Sequence, residues 1–561
     1  MTPWTRWSPA LAMVGLALLF SARPAPVRGS EPAPADLVLL HGRVEAPGRP
    51  EALAIRDGRI LALGTDAEIR ALAGPRTRVV DAGGGSVLPG FVDSHVHLMS
   101  GGMGLRGIPL QGLTTRSQIQ ERVREAAART PGDGWLVGRG WTYDAFGGGL
   151  PTRQMLDAVV PDRPVYLRCF DGHTGWANSA ALQRAGLTAR TPDPPGGSLV
   201  RDPATGELTG VVKESAEDLV RRAIPAPTPS EEEEGLRAGV LEAWRVGVTA
   251  VGEAGATFDE FRVFERLRER GELGLRTTVA MQLEDPTSEA ELARADALRQ
   301  RYREDPFLRV PAVKLFIDGV IESRTARLLQ PYAGVQGRGE PLMDQATLDR
   351  VVAGLVKRGW QVWVHAIGDG GVRMVLDALE RAGDPETIRA GRHRLEHAEL
   401  VDPADMPRLA RLGVVASQQP LHGSPDAIHT WRQNLGAPRE GRGWAHHSLL
   451  AAGARLALGT DWPVVGLDPL PNLQVAVTRE ASGLSWSPEE RLSLDAALEA
   501  CTAGGAWASF NEERFGSLAV GRLADVVVLS RDLRALGDLR EARVAVTVVD
   551  GQVVHEEGTG R

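Results

Sequence analysis

Apolar residues follow two rhythms along this chain. Between residues 91 and 510, apolar runs of strand length alternate with stretches whose apolar positions recur every three or four residues, as on one helix face. Eight runs stand out as strands: Phe91–His95, Val248–Gly252, Leu275–Met281, Ala312–Ile317, Gln361–His365, Arg394–His397, Val414–Ser417 and Leu456–Gly459. Amphipathic stretches such as Phe258–Arg270, Ala346–Arg358 and Gly371–Arg381 fall between them. This alternation predicts βα units around a parallel sheet. Eight units predict a (β/α)8 barrel of the TIM type, over residues 91–510.

The flanks read differently. Asp36–Leu40, Ala52–Gly64 and Thr77–Gly83 are short β segments, and Asp57-Gly58 between apolar runs is a hairpin signal. Similar segments return at Ala524–Leu529 and Val544–Val554. Together they predict one small β-sandwich built from both termini, residues 30–90 and 511–561. About 150 residues separate the first and second barrel candidates, more than one connecting helix needs. Trp135-Leu-Val-Gly and Val165-Tyr-Leu-Arg-Cys within that interval predict an inserted subdomain, at about 103–240, on the active-site side.

Residues 1–29 read as a signal peptide, with Arg6 ahead of the apolar run Leu11–Phe20 and small residues at Ser21 and Ala22. That run is too short to cross a bilayer as a helix. The expectation is an exported protein, periplasmic or secreted, with no stable membrane span once the leader is removed. Hydrophobic residues make up 43% and charged residues 24%, as in a globular chain with a sizeable core. A net charge of −8 and the lack of a basic block argue against nucleic acid as a partner. Cys169 and Cys501 match no metal or redox spacing, so they read as buried thiols, with a single bridge left open. The acidic run Glu231–Glu234 reads as a helix start.

The candidate chemistry sits at strand ends. His95 and His97, two apart, fall on one side of an extended strand and can grip one cation together. His365 and His397 end the fifth and sixth candidates, and Asp461 follows the eighth. His393 competes with His397 but opens its run, at the wrong barrel end. Strand C-termini converge on one barrel mouth, and nitrogen with carboxylate donors is the set a zinc-like cation takes. Lys314 lies among apolar neighbours on the fourth candidate, where an unpaired lysine is unusual. It either forms a buried salt bridge with Asp318 or Glu322, or carries a carbon dioxide-derived carbamate bridging two metals. Asp461 either binds metal and shuttles a proton or caps the next segment as an Asx turn. Glu253, ending the second candidate, is also placed to reach the mouth. His422, His429, His446 and His447 lie in loops near the seventh and eighth strands, where they either line the mouth or, as the preferred reading, are solvated. Trp141, Trp176 and Trp462 read as pocket walls or as core filling.

The ordered set of HxH after strand one, Lys on four, His on five and six, and Asp on eight resembles the amidohydrolase superfamily. Asp171-Gly-His-Thr-Gly-Trp-Ala-Asn-Ser, Lys314-Leu-Phe-Ile-Asp-Gly, Leu458-Gly-Thr-Asp-Trp-Pro and Gly521-Arg-Leu-Ala-Asp resemble its amidohydrolase-3 branch, with N-substituted formamide deformylase-like proteins. The resemblance implies two zinc ions per chain, one at His95, His97 and Asp461 and one at His365 and His397, bridged by carboxylated Lys314. It implies hydrolysis of a C–N amide bond in a small molecule, with Asp461 passing the water proton to the leaving nitrogen and His173 reaching the substrate carbonyl. The other role for His173 is a hydrogen bond that orders Asn178 or Ser179. A cyclic amide, an amine or an ester are alternative substrates on such a scaffold. A non-catalytic metal-binding or assembly protein is the alternative of another class, against which the intact ligand set argues. Homo-oligomers are also implied.

Overall fold

The computed structural model describes residues 33–558, except 148 and 171–173. The leader expected at 1–29 and His173 lie outside the described residues. Eight parallel strands form the barrel sheet: β1 (Phe91–Val96), β2 (Val248–Ala256), β3 (Arg276–Gln282), β4 (Leu308–Phe316), β5 (Gln361–Ala366), β6 (Arg394–His397), β7 (Val415–Gln418) and β8 (Arg455–Leu458). They pair in chain order from β1 to β8. Both faces of such a sheet are covered, so its strands are continuous apolar runs, as Val362, Trp363 and Val364 of β5 illustrate. β4 starts four residues before its predicted start, because Arg309 and Pro311 interrupt the apolar pattern that marks it.

Helices between the strands form as their patterns dictate. Thr257 accepts from the Glu260 amide while the Glu260 carboxylate accepts from Thr257, closing a capping box ahead of helix Phe258–Glu269. Helix Asp369–Ala382 buries Val372, Val375, Leu376 and Leu379 along one stripe, the i, i+3, i+4, i+7 spacing of a core-facing face. Thr228 caps helix Pro229–Arg245, whose first turns hold the acidic run.

The sheet closes where β1 meets the segment after β8. Val96 and Trp462 form a parallel bridge. The Asp461 amide donates to His95 O at 2.7 Å and the His97 amide to Trp462 O at 2.8 Å. Beneath them, buried Asp93 accepts from the Thr460 hydroxyl at 2.6 Å, the Thr460 amide at 3.0 Å and the His95 amide at 3.2 Å. Gly459 is required here, because a Cβ would lie 2.6 Å from the His95 nitrogen.

A second structure comes from both flanks. One sheet holds Ala35–Leu40, Ala52–Arg56, Arg59–Gly64 and Ala73–Asp81. The other joins Arg43–Val44 and Ser86–Pro89 to Val526–Leu529, Val544–Val549 and Gln552–Glu556. Leu37, Leu53 and Ile55 of the first share a core with Val87, Val526 and Val548 of the second, so the two pack as a sandwich. Buried Arg276 on β3 ties it to the barrel, with Nε 2.5 Å from Asp525 and a second contact to Asp550 at 3.0 Å.

Between β1 and β2 the chain builds a six-stranded sheet of its own. Trp141 and Trp176 fill its core, their indoles donating to Leu167 O and Thr152 O, so these two are structural and not pocket walls. Cys169 and Cys501 are both buried thiols.

Asp525→Ala would leave the Arg276 guanidinium buried with only partly exposed Asp550 as counter-charge. The expected loss is about 3–5 kcal/mol, the cost of breaking a buried ion pair from one side. Denaturant unfolding measures it, and a loss under about 1 kcal/mol would show that Asp550 suffices.

Candidate metal centre

β1 carries His95 and His97 to the barrel mouth, and the closing seam brings Asp461 against them. His95 Nε2 lies 3.5 Å and His97 Nε2 3.3 Å from the same Asp461 oxygen, Oδ1. Both His95 Nε2 and Asp461 Oδ1 are buried without a hydrogen-bond partner. A buried polar atom left unsatisfied costs about 1–3 kcal/mol. Two such atoms facing each other, with a third donor beside them, form a ready electrophile site. Asp461 holds a left-handed backbone, φ +59°, as do His397 at +73° and Ala398 at +43°. Non-glycine residues adopt this conformation at a cost and gather where side-chain aim matters.

His397 and His365 stand next to this group. The His397 ring centroid is 4.8 Å from that of His95 and 4.5 Å from that of His365. His365 Nε2 donates to Gly319 O at 3.3 Å, which leaves the lone pair on Nδ1. Lys314 on β4 is buried, its ammonium 4.8 Å from the Phe316 ring centroid. Burial draws its pKa down to about 8 against the pull of Glu396 and Asp461. The salt bridge to Asp318 does not form: the Asp318 carboxylate instead accepts from the amides of Arg327, Ile367 and Gly368. Glu253 reaches the mouth, where it accepts from the Leu98 amide at 2.7 Å and so fixes the turn after His97. Burial raises its pKa to about 7.

A layer beneath sets which nitrogen each ring offers. The Glu396 carboxylate accepts from His95 Nδ1 at 2.5 Å, and Gln419 Oε1 accepts from His397 Nδ1 at 2.8 Å. Each ring therefore turns its Nε2 lone pair toward the cluster, the arrangement seen around metal-binding histidines. Glu396 is in turn held by Arg394, Nε to Oε1 at 2.7 Å, and the guanidinium lies 3.5 Å from the centroid of Trp363. All three side chains of this relay are fully buried. Burial opposes the Glu396 charge, but Arg394 and His95 outweigh it and hold the carboxyl far below its ordinary range. Burial keeps His95 neutral, with a pKa near 4, and His365 near 3.

Sequence reasoning ranked His422 as a solvated loop residue ahead of a place at the mouth. It lies in the loop after β7, with Nε2 buried, unpartnered and 4.0 Å from Asp461 Oδ2. Its ring stacks on His397 at 6.2 Å. Donor atoms of His397, His422 and Asp461 all lie within 4.8 Å of one another, as do those of His95, His97 and Asp461. The reading of His422 as solvated is thus corrected. His446 is also buried, donating from Nδ1 to Gln418 Oε1 at 2.7 Å, whereas His429 and His447 are exposed. The available signal was position: four residues past a β7 end, His422 had to lie at the same mouth as the others. Trp462 is buried, its ring packed on Gly101.

The amidohydrolase family model matches residues 78–555. Protein LONG AFTER FAR-RED 3 of Arabidopsis thaliana is 34% identical, the match covering 88% of this chain and 87% of that one. The N-substituted formamide deformylase of Arthrobacter pascens is 30% identical over 94% of this chain and 99% of its own. Among solved structures, an uncharacterized metal-dependent hydrolase from Pyrococcus furiosus superposes with a TM-score of 0.70 at 28% identity, covering 88% of this chain and 99% of that one. The barrel, the ordered strand-end residues and these matches agree: the chain belongs to the amidohydrolase family.

Proposed function

We propose that this hydrolase cleaves the C–N bond of an N-substituted amide or formamide at the barrel mouth, using a divalent metal centre of two zinc ions. The deformylase relative supports the substrate class. The single observation that carries the metal centre is the pair of buried, unpartnered atoms His95 Nε2 and Asp461 Oδ1, facing each other at 3.5 Å.

His95, His97 and Asp461 would hold one cation, a borderline nitrogen and carboxylate set that suits zinc. His365 and His397 would hold the second, with Lys314 linking the two as a carbamate. Lysine reacts with carbon dioxide only as the free amine, and a pKa near 8 makes that form accessible at neutral pH. His422, sharing Asp461 with His397, is placed to complete the second site or to contact the substrate. When bound, a divalent cation polarises the substrate carbonyl and lowers the pKa of water.

The chain's own groups do the rest. Burial opposes the charge of Asp461, yet its carboxyl is held well below the ordinary range, with His97 Nε2 beside it at 3.3 Å. It takes a proton from the attacking water and returns it to the leaving nitrogen. Water oxygen bonds to the carbonyl carbon, the C–N bond breaks, and an amine and a carboxylic acid leave. Glu396 keeps His95 in the tautomer that presents Nε2. Residues 1–29, read as a leader, would place this reaction in the periplasm or outside the cell. Among the described residues no helix is long and apolar enough to cross a membrane.

Elemental mass spectrometry of the purified protein is expected to find two divalent ions per chain. No metal after supplementation with zinc or manganese and bicarbonate would sink the mechanism. Asp461→Asn should lower kcat on an N-substituted formamide by about 10²–10⁴, and unchanged turnover would remove Asp461 from proton transfer. A panel with N-acyl amino acids and esters alongside tests the substrate class, since preference for an ester would redirect it. Glu396→Gln should weaken metal affinity by about 10–100-fold in a chelator competition. Unchanged affinity would reduce Glu396 to a counter-ion for Arg394.

A further inference from the structure

The barrel has a cavity at the end away from the histidine cluster. Its volume is about 490 Å³, of the size that holds small ligands. It opens where three strands begin: Arg309 on β4, Trp360 and Gln361 at the start of β5, and His393 immediately before β6 line it, with Phe510 beside them. This is the His393 set aside as lying at the wrong end for the metal cluster.

Its lining has a single sign of charge. Arg299, Arg303, Arg309 and Arg358 all contribute, and no carboxylate does. Arg299 and Arg358 are neutralised from behind by Asp296, and Arg358 also by Glu289. Arg303 has only a loose contact with Glu304, at 3.5 Å. Arg309 donates to neutral oxygens, Phe510 O at 3.1 Å and Asn511 Oδ1 at 2.9 Å. Among the described residues Arg309 therefore has no carboxylate in direct contact, and Arg303 only the exposed Glu304.

Two buried donors complete the site. His393 is 2% exposed, and its Nδ1 accepts from the Val362 amide at 3.1 Å. A neutral imidazole that accepts at Nδ1 must carry its proton on Nε2. That Nε2–H has no acceptor among the described residues. Gly391 lies against it, where a Cβ would come within 2.4 Å of Nε2, so the glycine keeps the space before the donor open. The indole N–H of Trp360, 1% exposed, also lacks an acceptor. Buried donors are nearly always satisfied, and both of these belong to residues that line the cavity.

We propose that this cavity binds a small organic oxyanion, a carboxylate or phosphate monoester with an apolar body. Arg303 and Arg309 meet its charge, His393 Nε2–H and Trp360 Nε1–H donate to its oxygens, and Phe510 and Val310 face the apolar part. The site is separate from the metal centre and does not depend on the reaction assigned there.

Calorimetric titration of the metal-loaded protein with benzoate, phenyl phosphate and inorganic phosphate tests this. One of the two organic anions should bind one per chain with a Kd below about 1 mM, and which one does so distinguishes carboxylate from phosphate. Arg309→Gln, Arg303→Gln and His393→Phe should each weaken it at least tenfold. Arg303 is exposed, so that variant keeps the test valid if a buried substitution disturbs folding. Binding of neither organic anion, or binding unchanged in all three variants, overturns the proposal. Inorganic phosphate binding as tightly as phenyl phosphate overturns the apolar part of it.

Discussion

The site depends on the seam where the first and last barrel strands meet. A parallel sheet of eight strands has two edges, and the chain joins them with few contacts: one bridge, two backbone hydrogen bonds and the Asp93–Thr460 clamp. The backbone bonds run directly through His95, His97 and Asp461. The same contacts that close the cylinder therefore set the separation of its three most tightly clustered donor atoms. Barrel geometry and site geometry are one constraint here, and Gly459 is where it is tightest.

Electrostatics in this region is organised by neutral rings around a few fixed charges. Burial makes protonated imidazole expensive, so His95, His365 and His397 present lone pairs rather than positive charge. The charges that remain are anchored from below. Glu396 between Arg394 and His95 is the clearest case: a carboxylate with no solvent contact survives because a guanidinium packs on one side and an N–H donates on the other. Trp363 in turn supports the guanidinium, so an indole deep in β5 helps to orient a ring on β1.

Much of this could be read from the residues. Strand type and order were legible because buried parallel strands leave uninterrupted apolar runs, and the strand-end residues could then be ordered around one mouth. His95, His365, His397 and Lys314 fall on those strands, His97 one residue past β1 and Asp461 three residues past β8, as the pattern implied. What escaped lay in loops or in polar residues hidden inside strands. His422 sits in a short 3-10 turn that no periodicity marks. Arg394 and Glu396 looked like interruptions of an apolar strand, and only the fold shows them side by side on one face of β6, turned inward to meet His95 and Ser94 of β1. Trp141 and Trp176 could not be assigned from sequence, since an indole suits a pocket wall and a core equally well.

The flanking sandwich has a consequence for how the molecule comes into being. Ser86 receives the Leu533 amide from a residue 447 positions further on, and Val87 pairs with Val528. A chain emerging N-terminus first makes this early strand long before its neighbour exists. Closing so long a loop carries a large entropic cost, and contacts of this range slow folding. The strand must wait with one edge unpaired, which is also the state in which strands find wrong partners. Final locking of Asp525 onto Arg276 can only follow arrival of the tail. Completion of the native state is thus timed by the segment from Val526 to Glu556, and a chain truncated before it would keep every strand-end histidine yet lack the strands that finish the fold.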